Sequence, residues 1–140
     1  MRRISLNRDE LWITNLVKCY SLNDREPTQE EISNCLAYVL AEIKILKPWL
    51  VVTFGKQSSY AILGFRKQWD QVRAKLHIGR LENQIFLVLP VTHPGQAVRG
   101  NRGLIYSDFN KLKLVIENKE KLVEKCKNFL KIEHPGKGIV

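Results

Sequence analysis

The chain has few cysteines, no long apolar run and far fewer acidic than basic residues. Three cysteines in 140 residues are an odd number for a disulfide framework, which favours a reducing cytoplasmic location over secretion. The longest apolar runs, residues 49–54 and 85–91, are much too short to cross a bilayer, so no membrane partner is expected. Met1 is followed by two arginines without an apolar stretch, and no secretory signal is expected.

Positive charge is what the chain has in excess. Lysine and arginine total 23 against 14 acidic residues, which gives a formal net charge of +9 at pH 7. Such an excess favours a polyanionic partner, and nucleic acid is the first candidate. The hydrophobic fraction of 44% and the charged fraction of 26% are those of an ordinary globular protein. The length suits one domain, so we expect a single domain over residues 1–140, with a flexible tail at 133–140.

Three short apolar segments predict β-strands. Residues 11–14 are apolar and β-prone, and residues 49–54 form a continuous apolar, β-branched run that is typical of a strand covered on both faces. Residues 85–91 have the same character, although Pro90 indicates that this strand ends near an edge or a bulge. A loop rich in glycine, arginine and asparagine follows at residues 92–103.

Helical spacing separates these strands. Thr28 and Glu31 have the spacing of a capping box, and apolar residues then follow at three- and four-residue steps until Pro48 ends the pattern. The other predicted helices cover residues 57–63, closed by Gly64, and 106–132, broken near Asn118. Alternation of strands and helices predicts an α/β fold in three layers, with a mostly parallel sheet of three or four strands flanked by helices.

Three stretches carry a family resemblance when they are taken in order. They are ITNLVKCYSLNDREPTQEEISNC at 13–35, KPWLVVTFGKQSSYAILG at 47–64 and LPVTHPGQAVRG at 89–100. The first is the most specific, because it combines a strand end, a Lys-Cys pair, a Pro-Thr helix start and a second cysteine. In this order the stretches resemble the iron–sulfur uracil-DNA glycosylases, family 4 of that superfamily.

The resemblance implies an enzyme of base excision repair that cuts the N-glycosidic bond of deoxyuridine in DNA. Such an enzyme takes the base out of the stack and reads its Watson–Crick edge in a pocket. Asn15 matches the asparagine that reads uracil, and His93 matches the histidine that donates a hydrogen bond to uracil O2 as the base leaves. The implied contacts to DNA are made by Pro94, Gly95, Arg99, Arg102 and Lys18.

The resemblance also implies a metal cluster. Cys19 and Cys35 match two of the four cysteines that hold a 4Fe-4S cluster in the family. The family's other two ligands come from an N-terminal Cys-x-x-Cys pair that this sequence lacks, so the cluster is either completed from elsewhere or absent.

A second part of the family pattern is also missing, the Gly-rich first motif with the acid that positions water. Three explanations stay open: a truncated product, a degenerate relative that repacked its sheet, or one half of a split protein whose sheet a second chain completes. The alternative function is accordingly a non-catalytic, DNA-binding relative of the same fold.

Overall fold

The structure is a computed structural model that describes residues 6–19, 23, 25–100 and 102–133. The predicted tail lies outside the described residues, apart from Glu133. The chain divides into two compact units, Met1–Lys47 and Pro48–Val140; whether they act as a single domain stays a prediction. Among the described residues, every helix is too short or too polar to span a membrane.

The first unit begins with irregular backbone. A single 3-10 turn covers Arg8–Glu10, and the predicted strand at residues 11–14 is wrong, since these residues form no ladder. Their side chains explain why. Trp12 is 66% and Ile13 52% exposed, while Trp12 Nε1 and Thr14 Oγ1 donate hydrogen bonds to the Glu42 carboxylate. A β-prone composition therefore forms no strand here.

Helix α1, Gln29–Leu46, follows the predicted pattern. The capping box is formed: Glu31 donates its amide to Thr28 Oγ1 over 3.2 Å, and the Glu31 carboxylate accepts the Thr28 amide over 2.8 Å. Lys47 ends the helix in the left-handed conformation at φ 48°, directly before Pro48. The buried stripe of the helix consists of Ile32, Cys35, Val39 and Ile43.

The second unit contains a three-stranded sheet of order β1-β3-β2. Strand β1, Leu50–Phe54, pairs parallel with β3, Gln84–Val91, and β2, His77–Leu81, pairs antiparallel with β3. The α/β fold with a helix-flanked sheet of three strands is confirmed. The sheet, predicted to be mostly parallel, is mixed, with one parallel and one antiparallel pair, because β2 and β3 form a hairpin. Strands β1 and β3 lie where the sequence predicts them.

The helices of this unit follow the strands. They are α2, Lys56–Leu63; α3, Trp69–Val72; α4, Gly95–Val98; α5, Arg102–Glu117; and α6, Lys119–Glu133. The predicted break at Asn118 is confirmed, and so is the closure of α2 by Gly64, which adopts φ +71°. The predicted loop at 92–103 is shorter than expected, because α4 lies within it and α5 begins at Arg102.

The core of this unit is centred on β3. Residues 86–92 of the chain are all buried, and since neighbouring residues of a strand point to opposite faces, both faces of β3 are covered. Pro90 is tolerated because the β2 ladder ends at Val88, which leaves no partner strand on that side to require an amide from residue 90. The sequence predicts an edge or a bulge here, but β3 is the middle strand of the sheet, and Pro90 lies where only the ladder with β1 continues.

Candidate functional site

The carboxyl ends of the two parallel strands bring Gly55 and His93 together. Phe54 and Val91 are partners in the ladder, and the Gly55 amide donates to the Val91 carbonyl over 2.8 Å. Gly55 has φ +88°, and a Cβ built on it would lie 3.3 Å from His93 Cβ. Glycine at this position therefore allows both the turn into α2 and the close approach of His93. Ligand sites in α/β sheets commonly lie at this edge.

The ring of His93 has a defined tautomer. Gly95 donates its backbone amide to His93 Nδ1 over 3.1 Å, and the Gln96 amide donates to the His93 carbonyl over 2.9 Å. Because a backbone amide can only donate, Nδ1 is the unprotonated nitrogen of the neutral ring, and the ring proton is on Nε2. His93 is exposed, so Nε2–H is the donor that this side chain offers to a ligand.

A buried carboxylate bonds the residue that precedes His93. Asp108, on α5, is 0% exposed, and its Oδ2 accepts the Thr92 amide over 2.7 Å. Its Oδ1 is paired with the Arg73 guanidinium. Both carboxylate oxygens are therefore engaged in holding the end of β3.

The predicted DNA contacts of this unit share one segment. Pro94 and Gly95 are exposed and open the short helix α4, and Arg99 donates its amide to the Gln96 carbonyl over 3.2 Å. Arg102 is the first residue of α5 and is exposed. Two exposed arginines and exposed backbone therefore follow His93 within ten residues. Arginine side chains and backbone amides are the groups that commonly contact phosphates.

In the first unit, the predicted base-reading residue lies in a segment anchored to α1. Lys18 Nζ forms an ion pair of 2.7 Å with Glu42 Oε1 and also bonds Thr14 Oγ1. The pKa of Glu42 is lowered, chiefly because Lys18 donates to its carboxylate. Asn15 is exposed and lies between the two residues, Thr14 and Lys18, that make these bonds. Sequence analysis missed Glu42, which holds this segment in place.

The two predicted cluster ligands differ in environment. Cys19 is exposed and Cys35 is buried, and the Lys18 amide donates to Cys35 Sγ over 3.4 Å. Amide donation to sulfur is a feature of cluster cysteines.

The remaining cysteine does not extend this pair. Burial raises the pKa of the Cys126 thiol, which lines an apolar cavity of about 140 Å³ with Trp49 and Phe86. Within the described residues, no three histidine, cysteine or acidic side chains are grouped to hold a metal. Three cysteines in all do not fit a four-thiolate cluster.

Sequence reasoning missed the residues that support His93. Asp108 occupies a position in the apolar stripe of α5 that also contains Leu112 and Val115. An acid in such a stripe was the available signal, because a buried carboxylate requires partners. Arg73 gave no signal, since it lies far from Asp108 in the sequence.

Comparison with known proteins identifies the family of the chain. A model of the uracil DNA glycosylase superfamily matches residues 1–128. The chain belongs to the uracil DNA glycosylase superfamily. The prediction of that family from the sequence is confirmed.

Among its curated relatives are type-4 uracil-DNA glycosylases. That of Saccharolobus solfataricus is 31% identical over 122 residues, which cover 83% of this chain and 56% of the relative. That of Thermotoga maritima is 33% identical over 135 residues, which cover 95% and 63% respectively. For the protein of Sulfurisphaera tokodaii the identity is 32% over 118 residues, or 79% and 53%. The chain therefore spans little more than half the length of these members of the superfamily.

Proposed function

We propose that this chain carries the uracil-reading and base-releasing groups of a type-4-like uracil-DNA glycosylase acting in base excision repair. The proposal depends above all on one contact, the Gly95 amide hydrogen bond to His93 Nδ1. That contact makes Nε2–H the donor of an exposed ring, at the edge of the sheet where the parallel strands end. Relatives that match most of this chain are named type-4 uracil-DNA glycosylases.

In the proposed reaction the bond between deoxyribose C1′ and uracil N1 breaks, and its electron pair leaves with the base. The negative charge spreads onto uracil O2, where His93 Nε2–H donates a hydrogen bond. A single donor aimed at developing charge lowers a barrier by about 2.7–4 kcal/mol. A water molecule then adds its oxygen to C1′ and releases a proton to solvent, and the uracil anion takes up a proton, which completes the hydrolysis.

Asn15 is proposed to select the base. Its carboxamide has one acceptor and two donors, so it can accept from uracil N3–H and donate to O4. Cytosine presents an acceptor at N3 and a donor at its amino group, which reverses this pattern. The anchoring of Thr14 and Lys18 to Glu42 supports the role, because it restrains the backbone on both sides of Asn15.

DNA is the proposed partner, held by phosphate contacts from Arg99, Arg102 and Lys18 and by the exposed backbone at Pro94 and Gly95. The net charge of +9 supports a polyanionic ligand. Lys18 is already paired with Glu42, so we expect its contribution to be smaller than that of the two arginines.

Cys19 and Cys35 are proposed as two ligands of a 4Fe-4S cluster whose remaining thiolates this chain does not supply. We assign no step of the reaction to that cluster. Iron content and the visible absorbance after anaerobic purification test the assignment. Stoichiometric iron that is lost in both Cys19→Ser and Cys35→Ser supports the assignment, whereas a colourless, iron-free protein contradicts it.

A second candidate function is binding of DNA without base excision. It is favoured by the position of Asp108, which is 0% exposed and bonds Thr92 and Arg73, so that this acid serves the fold and is not proposed to position water. In this second candidate function His93 and Asn15 contact DNA, and this chain does not supply the acid that positions water.

One experiment separates the two candidates. The chain is incubated with a duplex and with a single-stranded oligonucleotide that contain one uracil, followed by alkali to break abasic sites, and binding is measured in parallel. Strand breakage that His93→Ala and Asn15→Ala abolish supports excision. Binding of the folded chain without breakage contradicts excision and supports the second candidate. His77→Gln and Asn118→Ala serve as matched controls, with folding checked by circular dichroism.

A further inference from the structure

The proposed chemistry leaves a fully buried carboxylate unused. Asp108 is 0% exposed and lies on the same face of α5 as the buried residues Leu112 and Val115. Removing a carboxylate from water is costly, so a stable fold retains one where donors compensate its charge. The donors that bond Asp108 indicate what it does.

The two donors come from different segments. The Thr92 amide donates to Oδ2 over 2.7 Å, and the Arg73 guanidinium, whose side chain is 19% exposed, pairs with Oδ1. Thr92 follows the last residue of β3 and directly precedes His93. Its amide has left the strand ladder and is buried, and the carboxylate takes the place of a neighbouring strand.

The Arg73 segment is tied to the same strand through the backbone. Ala74 donates its amide to the Pro90 carbonyl over 2.7 Å, and the Arg73 amide donates to the Trp69 carbonyl over 2.7 Å. The guanidinium therefore approaches Asp108 from a turn that is itself fixed to β3. Arg73 thus holds the Asp108 carboxylate in place, and the carboxylate in turn holds the end of β3 through the Thr92 amide.

We propose that Asp108 is the positioning residue of His93. By fixing the Thr92 amide, it sets the direction in which the chain leaves β3, and with it the distance between His93 Nδ1 and the Gly95 amide. This inference rests on the proposed function, in which His93 Nε2–H donates to the departing uracil. Small displacements of such a group have large effects, since a shift of about 1 Å can cost roughly a hundredfold in rate.

The test uses Asp108→Asn. The carboxamide has one acceptor oxygen where the carboxylate had two, so either the Thr92 amide or the Arg73 guanidinium faces an NH₂ group. We expect the ¹⁵N signals of the His93 ring and the amide signal of Gly95 to move. The single-turnover rate of uracil excision is expected to fall roughly ten- to hundredfold, with the dissociation constant for DNA changed less than about twofold.

A second variant restores the pattern of donors and acceptors. In Asp108→Asn combined with Arg73→Gln, the carboxamide at 108 can accept from Thr92 while its NH₂ group donates to the carboxamide introduced at 73. We expect the His93 signals and the rate to return toward those of the unmodified chain. The control is Val115→Ala, two helical turns later on the same buried face, which lowers stability without touching Thr92.

The outcomes are distinguishable. The inference is overturned if folded Asp108→Asn has the ring signals of the unmodified chain, or if Val115→Ala moves them as far. If the unmodified chain excises no uracil while Asp108→Asn alone moves the His93 signals, positioning is supported and the proposed excision fails.

Discussion

Gly95 donates its backbone amide to the imidazole Nδ1 of His93 over 3.1 Å. The two residues are so close that a side chain at position 95 would crowd the ring. A Cβ built on Gly95 would lie 3.1 Å from His93 Nδ1 and 3.5 Å from Cε1. Gly95 therefore affects the ring in two ways. Its amide bonds Nδ1, and its lack of a side chain allows the ring to lie this close. The sequence His-Pro-Gly thus places, within three residues, a ring and the donor that fixes its tautomer.

The first prediction is that Gly95→Ala slows excision without unfolding the protein. The added methyl pushes the ring by a few tenths of an ångström, and we expect a several-fold fall in the single-turnover rate, because geometry at the reacting centre is sensitive to small shifts. Gly103→Ala is the control. Among the described residues, and apart from its chain neighbours and the backbone of its own helix, no heavy atom lies within 4 Å of its added Cβ. In helix α5 the alanine should raise the free energy of unfolding by about 0.5–1 kcal/mol with no change in rate. Equal effects of both variants on the rate would contradict the argument.

Local signals in the sequence were sufficient for much of the fold. The capping box at Thr28, the left-handed closure of α2 at Gly64 and the helix break at Asn118 depend on neighbouring residues, so they are visible without tertiary structure. Strand β2 was not predicted, because its five residues, HIGRL, have a glycine at their centre and no continuous apolar run. Pairing with β3 is what makes them a strand. Residues 11–14 show the reverse case, since their side chains bond to Glu42 of α1.

Residues of the candidate site could be predicted from the sequence only where the family pattern includes them or where their contacts are local in sequence. His93 and Gly95 stand in one tripeptide, so their contact could be anticipated. The Arg73–Asp108 pair joins residues 35 positions apart, and no local rule predicts which arginine reaches a buried acid. Only the position of Asp108 in an apolar stripe gave a hint.

The second prediction concerns phosphate contacts. Replacing Arg99 or Arg102 by glutamine should reduce the slope of log affinity against log salt by about 0.9 for duplex DNA, since each phosphate contact releases counterions. Affinity for DNA with and without uracil should fall together, because phosphates carry no base information. The measurement is fluorescence anisotropy over a range of salt concentrations.

Lys113→Gln provides the matched loss of one positive charge. Lys113 is exposed on α5, and its Nζ lies 3.8 Å from Glu117 Oε1. It is more than ten residues away from Arg99 and Arg102 in the sequence. Its slope should equal that of the unmodified chain. An equal reduction in slope for Lys113→Gln would show that general charge, and not the two arginines, binds the DNA.

The third prediction is a pH dependence in the capping box of α1. The pKa of Glu31 is lowered from 4.5 to about 2, chiefly by hydrogen bonds from Arg25 and then by the Thr28 amide. A lowered pKa in the folded state stabilises the protein above the ordinary value, and this contribution disappears as pH falls through the folded value. The stability difference between the unmodified chain and Glu31→Gln should therefore be full above about pH 4.5 and vanish near pH 2.

Denaturant unfolding at several pH values, with an NMR titration of the Glu31 carboxyl, measures this dependence. Arg25→Leu is the control, because it removes the largest cause and should move the pKa of Glu31 back toward 4.5. A Glu31 carboxyl that titrates at its ordinary pKa in the folded chain would refute the capping geometry described for α1.

The fourth prediction concerns a glycine in β2 that the Phe86 ring covers. Gly79 and Phe86 are ladder partners, Phe86 is 4% exposed, and a Cβ on Gly79 would lie 2.7 Å from Phe86 Cζ and 2.8 Å from Cδ2. Such distances are too short for the ring to remain in place. We expect Gly79→Ala to lower the free energy of unfolding by about 1–3 kcal/mol, as overpacking does.

A double-mutant cycle identifies the cause. In Phe86→Leu the ring atoms that clash are absent, so adding Gly79→Ala should cost less than in the unmodified chain, with a coupling of about 0.5–3 kcal/mol. The reference pair is Gly79→Ala with Val115→Ala, whose effects should add within about 0.3–0.5 kcal/mol because Val115 lies on α5 and has no ladder contact with β2. Suppose that Gly79→Ala lowers the free energy of unfolding as much in the Phe86→Leu background as in the unmodified chain. The clash with the ring would then not be the reason for glycine at position 79, and the loss of stability must arise from the strand backbone itself.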